Sequence, residues 1–402
     1  MTEAPVLTSA KRVIVPSAAL ALVGLVVWAV ALVGHPEEAL FAYLAAFVFA
    51  VTVVLGVLCL VMITHAAGAQ WFVVIRRLAE GVAGTLPLFA LLILPVLFGV
   101  GRLYPWVPPL AGLSAKAREV IHAKDAYLNV PFFVVRAGIY LAVWSALAIL
   151  LRRWSFHQDE GRAAPRERAV LVSGLGLMVF AFTVHFAAVD WLMSLSPEWV
   201  STVFGVYVFI GGMVGGVALL VLLTRAAERG GALAGRVSSA HYHALGRLQL
   251  VFVIFWAYIA YAQGFLVWIA DEPAEAKWYL ARWDGGWRWM LWALIVGHFF
   301  LPFLALLSRR LKRSPSSLAG VAVWLLALHY VDVLWLVLPA LAAGSLGGPP
   351  AGPTWEYLWI DLAALAWMVG AVLAFGAWRL AGRPLVPRRD PRLARSMEYQ
   401  SR

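Results

Sequence analysis

The chain has 402 residues, of which 63% are hydrophobic and 13% are charged. Soluble domains carry about 25% charged residues, so the composition predicts an integral membrane protein. A single cysteine, Cys59, excludes an internal disulfide and any site built from several cysteines, and the sequence has no C-x-x-C-H motif, dinucleotide fingerprint or P-loop. The net charge of +11 lies mostly in loops, which indicates lipid headgroups rather than nucleic acid as its partner.

Ten runs of the sequence are long and apolar enough to cross a bilayer, which takes roughly 20 residues. They cover residues 13–34, 39–64, 82–100, 129–151, 169–193, 198–224, 245–270, 287–308, 317–340 and 355–379. The predicted class is therefore an all-α polytopic membrane protein. Basic residues are concentrated in every second loop and after the last span, so the positive-inside rule predicts that both termini are cytoplasmic.

A short motif that occurs twice in the sequence suggests how the spans are grouped. Span five ends in V-H-F-A-A-V-D-W-L, and span nine contains L-H-Y-V-D-V-L-W-L in the same orientation. We interpret this as two four-helix bundles, spans two to five and six to nine, with a flanking helix at each end and a repeat axis along the membrane normal. The corresponding sections are 1–38, 39–195, 196–340 and 341–402.

Several segments are expected to lie outside or between the spans. Residues 70–81 have apolar side chains on one side and charged ones on the other, which predicts an interfacial helix on the inner face; residues 114–126 predict a second one outside. The Trp-rich loop 271–289 is expected to cap the outer surface, and the Arg/Pro-rich tail after Arg379 to be extended. Close packing of span six is predicted by its small-xxx-small pairs, Gly211, Gly212, Gly215 and Gly216.

Charged residues inside apolar spans are the main functional signal, because they persist where they meet a partner or a wet cavity. Arg136 and Asp190 lie at similar depth in consecutive spans, so we expect an ion pair. Tyr140 is one turn beyond Arg136, and His185 lies deeper than Asp190, so these four could form a polar track for protons. The alternative is a purely structural pair that joins two helices.

A second candidate for proton relay is formed by His329 and Asp332, which are three residues apart and share a helix face. A carboxylate beside an imidazole would orient the ring, although the two could equally be a packing pair. His298 is alone in its span and is interpreted as a satisfied packing residue. Because no predicted span carries two histidines, neither b-type haem on His185, His298 or His329 nor a metal site is expected.

Four further residues near the membrane surfaces have two interpretations each. Asp361 and Glu356 could serve an outer entry or cap the start of span ten. His65 and Glu80 could open an inner path or face solvent at the interface.

Three stretches carry a resemblance to a known family. They are W-F-V-V-I-R-R at 71–77, A-Y-L-N-V-P-F-F-V-V-R at 126–136 and V-D-W-L-M-S-L-S-P-E-W-V-S-T-V-F-G-V-Y at 189–207. Together they resemble the ActF-type subunits of bacterial alternative complex III, within the NrfD-like, polysulfide-reductase membrane-subunit family. The likeness extends over most of the chain and is most specific in its middle.

The resemblance implies a subunit without a cofactor of its own, in a complex of the bacterial inner membrane that oxidises quinol and reduces cytochrome c or a similar periplasmic acceptor. Its implied partners are a paralogous NrfD-like subunit that binds the quinol, and periplasmic subunits with iron–sulfur clusters and c-type haems. The subunit itself would support assembly and be a candidate for carrying protons.

Two other functions stay open at this point. The chain could hold the quinol pocket itself, which would need a general base beside an apolar cleft. It could also be a stand-alone proton-coupled transporter. The helix breakers Pro87, Pro95, Pro131 and Pro302 do not match between the proposed halves, which argues against a transporter with paired broken helices.

Overall fold

The structure, a computed structural model, describes residues 10–110, 113–161, 166–283, 285–344, 352–353 and 355–401. In these residues ten helices are long and apolar enough to span a membrane, so the chain is a multi-pass, all-α membrane protein, as the sequence predicts. We number them in chain order: α1 Lys11–Gly34, α2 Pro36–Ala66, α3 Arg76–Phe98, α4 Val130–Asp159, α5 Arg166–Trp191, α6 Phe204–Arg229, α7 Ser239–Ala270, α8 Trp287–Leu307, α9 Pro315–Gly344 and α10 Leu358–Leu380.

Two spans depart from the predicted pattern. Helix α3 is broken into short segments at its prolines, Pro87 and Pro95, because each lacks an N–H and clashes with the preceding turn. Helix α6 begins at Phe204 rather than at 198, since Ser196 to Val203 form turns after α5. Short helices lie between the spans, at Ala115–His122 and Pro273–Trp283.

Helix α2 is the centre of the molecule. Its residues from Ala39 to Met62 are buried on every side, which explains why its sequence is apolar all round rather than striped. It packs against α5, α6, α9 and α10. The flanking helices α1 and α10 lie side by side rather than apart: Gly370 of α10 is so close to α1 that a Cβ there would lie 2.6 Å from the carbonyl oxygen of Ser17.

The contact between α2 and α6 depends on glycine, as the small-xxx-small pairs predict. A Cβ on Gly212 would lie 2.5 Å from the carbonyl oxygen of Thr52, and one on Gly216 would lie 2.9 Å from the backbone carbon of Gly56. These are the first helices of the two proposed bundles. Each also packs on the last helix of the other bundle, α2 on α9 and α6 on α5. The division into bundles itself stays a prediction.

The segment 70–81 differs from its predicted role. Trp71–Val74 form a short 3-10 helix, and Arg76–Ala83 form the first segment of the span α3. Its charged side is turned into the protein: Arg76, Arg77 and Glu80 are 4%, 1% and 2% exposed. The interfacial-helix prediction is therefore wrong, because these charges compensate one another, with Arg76 Nε 3.2 Å and Arg77 Nε 3.4 Å from the Glu80 carboxylate.

The C-terminal segment is docked rather than extended. Arg76 donates to Asp390 at 2.8 Å, and the side chain of Ser396 accepts from Val74 N–H and donates to the Trp71 carbonyl. Burial alone would raise the pKa of Asp390, but hydrogen bonds from Arg392 and the charge of Arg76 outweigh it and hold that pKa well below its ordinary value. We call the end of the molecule that carries this segment the tail face.

The Trp-rich loop on the opposite face is only partly a surface cap. Trp278 and Trp287 are buried, whereas Trp283 and Trp289 are exposed. Trp278 stacks on Trp199 with ring centroids 4.3 Å apart, so the helix Pro273–Trp283 is anchored on the turn between α5 and α6.

Gly212→Ala should separate α2 from α6, because the methyl group would overlap the Thr52 carbonyl. We expect a loss of stability of about 1–3 kcal/mol, as for other overpacked contacts, seen as a lower unfolding temperature in detergent. Gly320→Ala in α9 is the matched control, since a Cβ there meets nothing within 4 Å. Equal stability of the two variants would contradict the close contact.

Asp390→Asn should release the C-terminal segment, since it removes the charge that Arg76 and Arg392 share. Trypsin cleavage after Arg392 and Arg395 should become at least about tenfold faster at pH 7. Because the folded-state pKa is lowered, the contact should be present above the ordinary carboxyl pKa and weaken as the pH falls below it. Glu398→Gln removes the same charge at an exposed position and should leave the cleavage rate unchanged.

Candidate functional site

The structure brings Arg136 and Asp190 together as a buried ion pair. Arg136 Nε and Nη2 donate to the two carboxylate oxygens of Asp190 at 2.8 and 3.0 Å, and Tyr140 donates to the same carboxylate at 2.8 Å. Arg136 also donates to the carbonyl of Tyr127 at 2.9 Å. This fork-like geometry is the strongest arrangement for a guanidinium and a carboxylate. We call these four residues the Asp190 cluster.

The start of α4 explains how Arg136 is positioned. Asn129 caps the helix by accepting from the N–H of Phe132, and Pro131 stands in the first turn, where no N–H is needed. Arg136 follows about two turns later, and its guanidinium lies 3.8 Å from the centre of the Tyr127 ring. The charge is therefore surrounded by an acid and by aromatic faces rather than by lipid.

His185 does not belong to this cluster. It lies five residues before Asp190, about 140° around α5, and its half-buried ring faces Gly205 of α6 and the ring of Phe186. No hydrogen bond joins the His185 side chain to another residue that the structure describes. The predicted polar track through Tyr140, Asp190 and His185 is thus interrupted at the histidine.

A second polar cluster surrounds Asp332 in α9. Tyr207 of α6 donates to one carboxylate oxygen, and the indole N–H of Trp256 in α7 donates to the other at 3.1 Å. Asp332 is 2% exposed, and in the described part of the chain it has no basic ion-pair partner. Unlike Asp190, this buried acid is held by neutral donors alone.

His329 lies beside Asp332 but does not hydrogen-bond to it. Its Nε2 pairs with the hydroxyl of Thr52 in α2 at 3.1 Å, and its Nδ1 is buried without a partner among the described residues. Both side chains approach Gly211 of α6. The expected direct carboxylate–imidazole contact is therefore absent from this structure, because Tyr207 and Trp256 occupy the carboxylate.

His298 is more than the satisfied packing residue expected from its sequence. It stacks on Trp256 with ring centroids 4.3 Å apart, lies 6.4 Å from the ring of His329, and has no hydrogen-bond partner for either ring nitrogen within the described ranges. It sits in a π-helical turn, Leu294–Phe300, directly before Pro302, whose missing N–H disrupts the α-helical ladder. We call Thr52, Tyr207, Trp256, His298, His329 and Asp332 the Asp332 cluster.

The two copies of the repeated sequence motif direct their acids, Asp190 and Asp332, to different neighbours. Asp190 follows its histidine by five residues, and Asp332 follows by three, which is about 140° compared with 60° around the helix. Asp190 consequently faces α4, whereas Asp332 faces α6 and α7. In the described residues no hydrogen bond joins the two clusters.

A cavity of about 440 Å³ opens on the face opposite the tail face, between the ends of α2, α5 and α9. Arg282 lines it, although the side chain is only 3% exposed and burial lowers its pKa to about 9. Its Nε donates to the Trp335 carbonyl at 3.2 Å. The Trp335 carbonyl has no helical donor of its own, because Pro339, four residues further along α9, has no N–H.

The other candidate residues are placed as follows. The backbone carbonyl of Asp361 accepts from Tyr330 at 3.0 Å, and Asp361 is buried in the first turn of α10. Glu356 is at the start of the same region and is exposed. His65 and Glu80 are buried near the tail face, so the solvated-interface interpretation of both is wrong.

Among the residues that the structure describes, no group of three or more His, Cys, Asp or Glu could hold a metal ion. A comparison with models of known protein families and with curated protein sequences finds no match. The chemistry of the two clusters is therefore the main guide to function.

Asp190→Asn should leave the Arg136 guanidinium buried without an anion, at a cost of about 3–5 kcal/mol. We expect lower yield and a lower unfolding temperature. Replacing both partners, as Arg136→Gln with Asp190→Asn, should recover part of this loss, because the isolated charge is then gone. If the single and the double variants were both as stable as the parent, the pair would have no structural role.

Proposed function

We propose that the chain is a cofactor-free membrane subunit of a quinol:cytochrome c, or similar quinol:acceptor, oxidoreductase, and that the Asp332 cluster is part of a proton path. The observation that supports a proton path is the buried carboxyl of Asp332, which accepts hydrogen bonds from Tyr207 and Trp256 and has no basic ion-pair partner among the described residues. Its neutral form avoids the cost of an isolated buried charge, and its ionised form is stabilised by two donors. A proton carrier needs both forms to be accessible.

The proposed path leads towards the cavity. From Asp332 the proposed path runs through Tyr207, which donates to the carboxylate, towards Arg282, which lines the open cavity. On the other side, His329 contacts Thr52 of the central helix α2. The Asp332 cluster therefore lies between the proposed exit at the cavity and the close contact of α2 with α6.

The Asp190 cluster is assigned to assembly. A bidentate pair is a poor proton carrier, since protonating the carboxyl would strand the guanidinium in a buried site. It instead joins α4 to α5, with Tyr140 as a second link.

The role in a larger complex rests on the sequence resemblance. We propose a bacterial inner-membrane location with both termini cytoplasmic, a paralogous NrfD-like partner that binds quinol, and periplasmic partners with iron–sulfur clusters and c-type haems. The tail face would then be cytoplasmic and the cavity periplasmic, so protons that reach the cavity would be released on the side of the acceptor.

The cavity favours one alternative, that this chain binds quinol itself. Its volume of about 440 Å³ is in the range of small-molecule sites, and it combines apolar walls with polar groups such as Arg282 and Glu198. Ala281→Trp would fill part of this space. In the alternative, quinone that copurifies with the isolated subunit should fall in this variant; in the main proposal, the isolated subunit carries no stoichiometric quinone before or after the change.

Asp332→Asn should keep the hydrogen-bond acceptor for Tyr207 but remove the proton. We expect the purified complex to assemble normally and to show quinol-driven proton release about tenfold or more slower, as typical for loss of a positioned proton carrier. Asp332→Glu should retain part of the rate.

Asp361→Asn is the matched control, because it removes a buried acid outside the cluster. Equal rates of proton release in Asp332→Asn, Asp361→Asn and the parent would contradict a proton relay through Asp332.

A further inference from the structure

Four arginines meet near the tail face, at the ends of α4 and α10. The guanidinium carbons of Arg77, Arg152 and Arg383 lie 4.0, 5.4 and 5.6 Å from the centre of the Phe156 ring. Arg379, in the last turn of α10, accepts a hydrogen bond on its carbonyl from Arg152 Nη2 at 2.6 Å. Like charges of this density need anions nearby.

The acids in this region are already engaged by other arginines. Glu80 is shared by Arg76 and Arg77 and acts on Arg152 only at longer range, and Asp159 accepts from Arg77 at 2.8 Å. Across the described ranges, no ion pair joins Arg152, Arg379 or Arg383 to an acid. Three positive charges therefore lie together without a carboxylate in direct contact.

Two of these side chains also have N–H donors that are buried and unused. Arg152 is only 7% exposed, yet its Nη1 has no hydrogen-bond partner in the described structure, and neither has the buried Nε of Arg379. Both nitrogens converge beside Gly84, at 2.9 and 3.2 Å from the position that a Cβ would occupy there. Buried donors are rarely left without an acceptor, so two converging donors beside a third arginine favour an anionic ligand at this place.

The position of the group along the membrane normal indicates what that anion is. Arg379 belongs to the last turn of α10, and Arg152 lies about two turns before the end of α4. Trp378, which precedes Arg379, is 61% exposed. Exposed tryptophan and arginine at the ends of spans lie at the level of the lipid headgroups. Arg383 is exposed, so one member of the group is accessible from outside the protein.

We propose that Arg152, Arg379 and Arg383 form a phosphate-binding site at headgroup level, with Arg152 Nη1 and Arg379 Nε as its buried donors. The phosphate would come from an anionic phospholipid or from free inorganic phosphate. Basic pockets between the inner ends of spanning helices commonly bind such headgroups. Bound phosphate would neutralise the three arginines and connect α4 to α10.

The test uses delipidated full-length protein in a neutral detergent. Its unfolding temperature and its lipid occupancy in native mass spectrometry are followed with phosphatidylglycerol, phosphatidylcholine or sodium phosphate. The variants are Arg152→Gln, Arg379→Gln and Arg383→Gln. Arg153→Gln is the matched control, because it removes one charge from the adjacent exposed position of the same helix.

We expect phosphatidylglycerol to bind more tightly than phosphatidylcholine, and each of the three variants to weaken it about fivefold. Arg383→Gln keeps the test valid if Arg152→Gln fails to fold, since Arg383 is exposed. Stabilisation by phosphatidylglycerol but not by sodium phosphate identifies a lipid headgroup; equal stabilisation by both, lost in the variants, identifies free phosphate at the same site. Unchanged binding in all three variants, or an equal loss in Arg153→Gln, overturns the proposal.

Discussion

The close contact between α2 and α6 is the constraint on which the rest of the molecule depends. Glycines on α6 let its backbone approach Thr52 on one side and the side chains of His329 and Asp332 on the other. With bulkier residues, α2 and α9 could not both reach α6, and the Thr52–His329 and Tyr207–Asp332 hydrogen bonds could not form together. The glycines of α6 are therefore required for the hydrogen bonds of the Asp332 cluster as well as for helix packing.

The two buried acids differ in how their charge is compensated inside the membrane-spanning region. Asp190 forms a bidentate ion pair with Arg136, so its buried charge is compensated. Asp332 has only neutral donors, so no neighbouring positive charge holds its carboxyl in the anionic form. Neither acid faces lipid, as expected of ionisable residues at membrane depth.

The sequence predicts the number, order and approximate limits of the spans, because an apolar run of about twenty residues is long enough to cross the hydrocarbon core and too apolar for a water-exposed helix. It also predicts the encounter of Arg136 with Asp190, since two opposite charges at one depth in neighbouring helices have few other partners.

The sequence does not predict the surroundings of His185 and His298. The direction of a side chain depends on how its helix is rotated, and the π-helical turn before Pro302 has no clear periodic pattern in the sequence. The docking of the C-terminal segment does not follow from local sequence, because its contacts are with residues far away along the chain.

That distance has a consequence for biogenesis. Asp390 is synthesised 314 residues after Arg76, the residue it binds. Of the two acids that pair with Arg76, Glu80 is therefore available early in synthesis and Asp390 only near its end. The tail face is completed only when the C-terminal segment has been made, and a chain that stops before Asp390 lacks the carboxylate to which Arg76 donates.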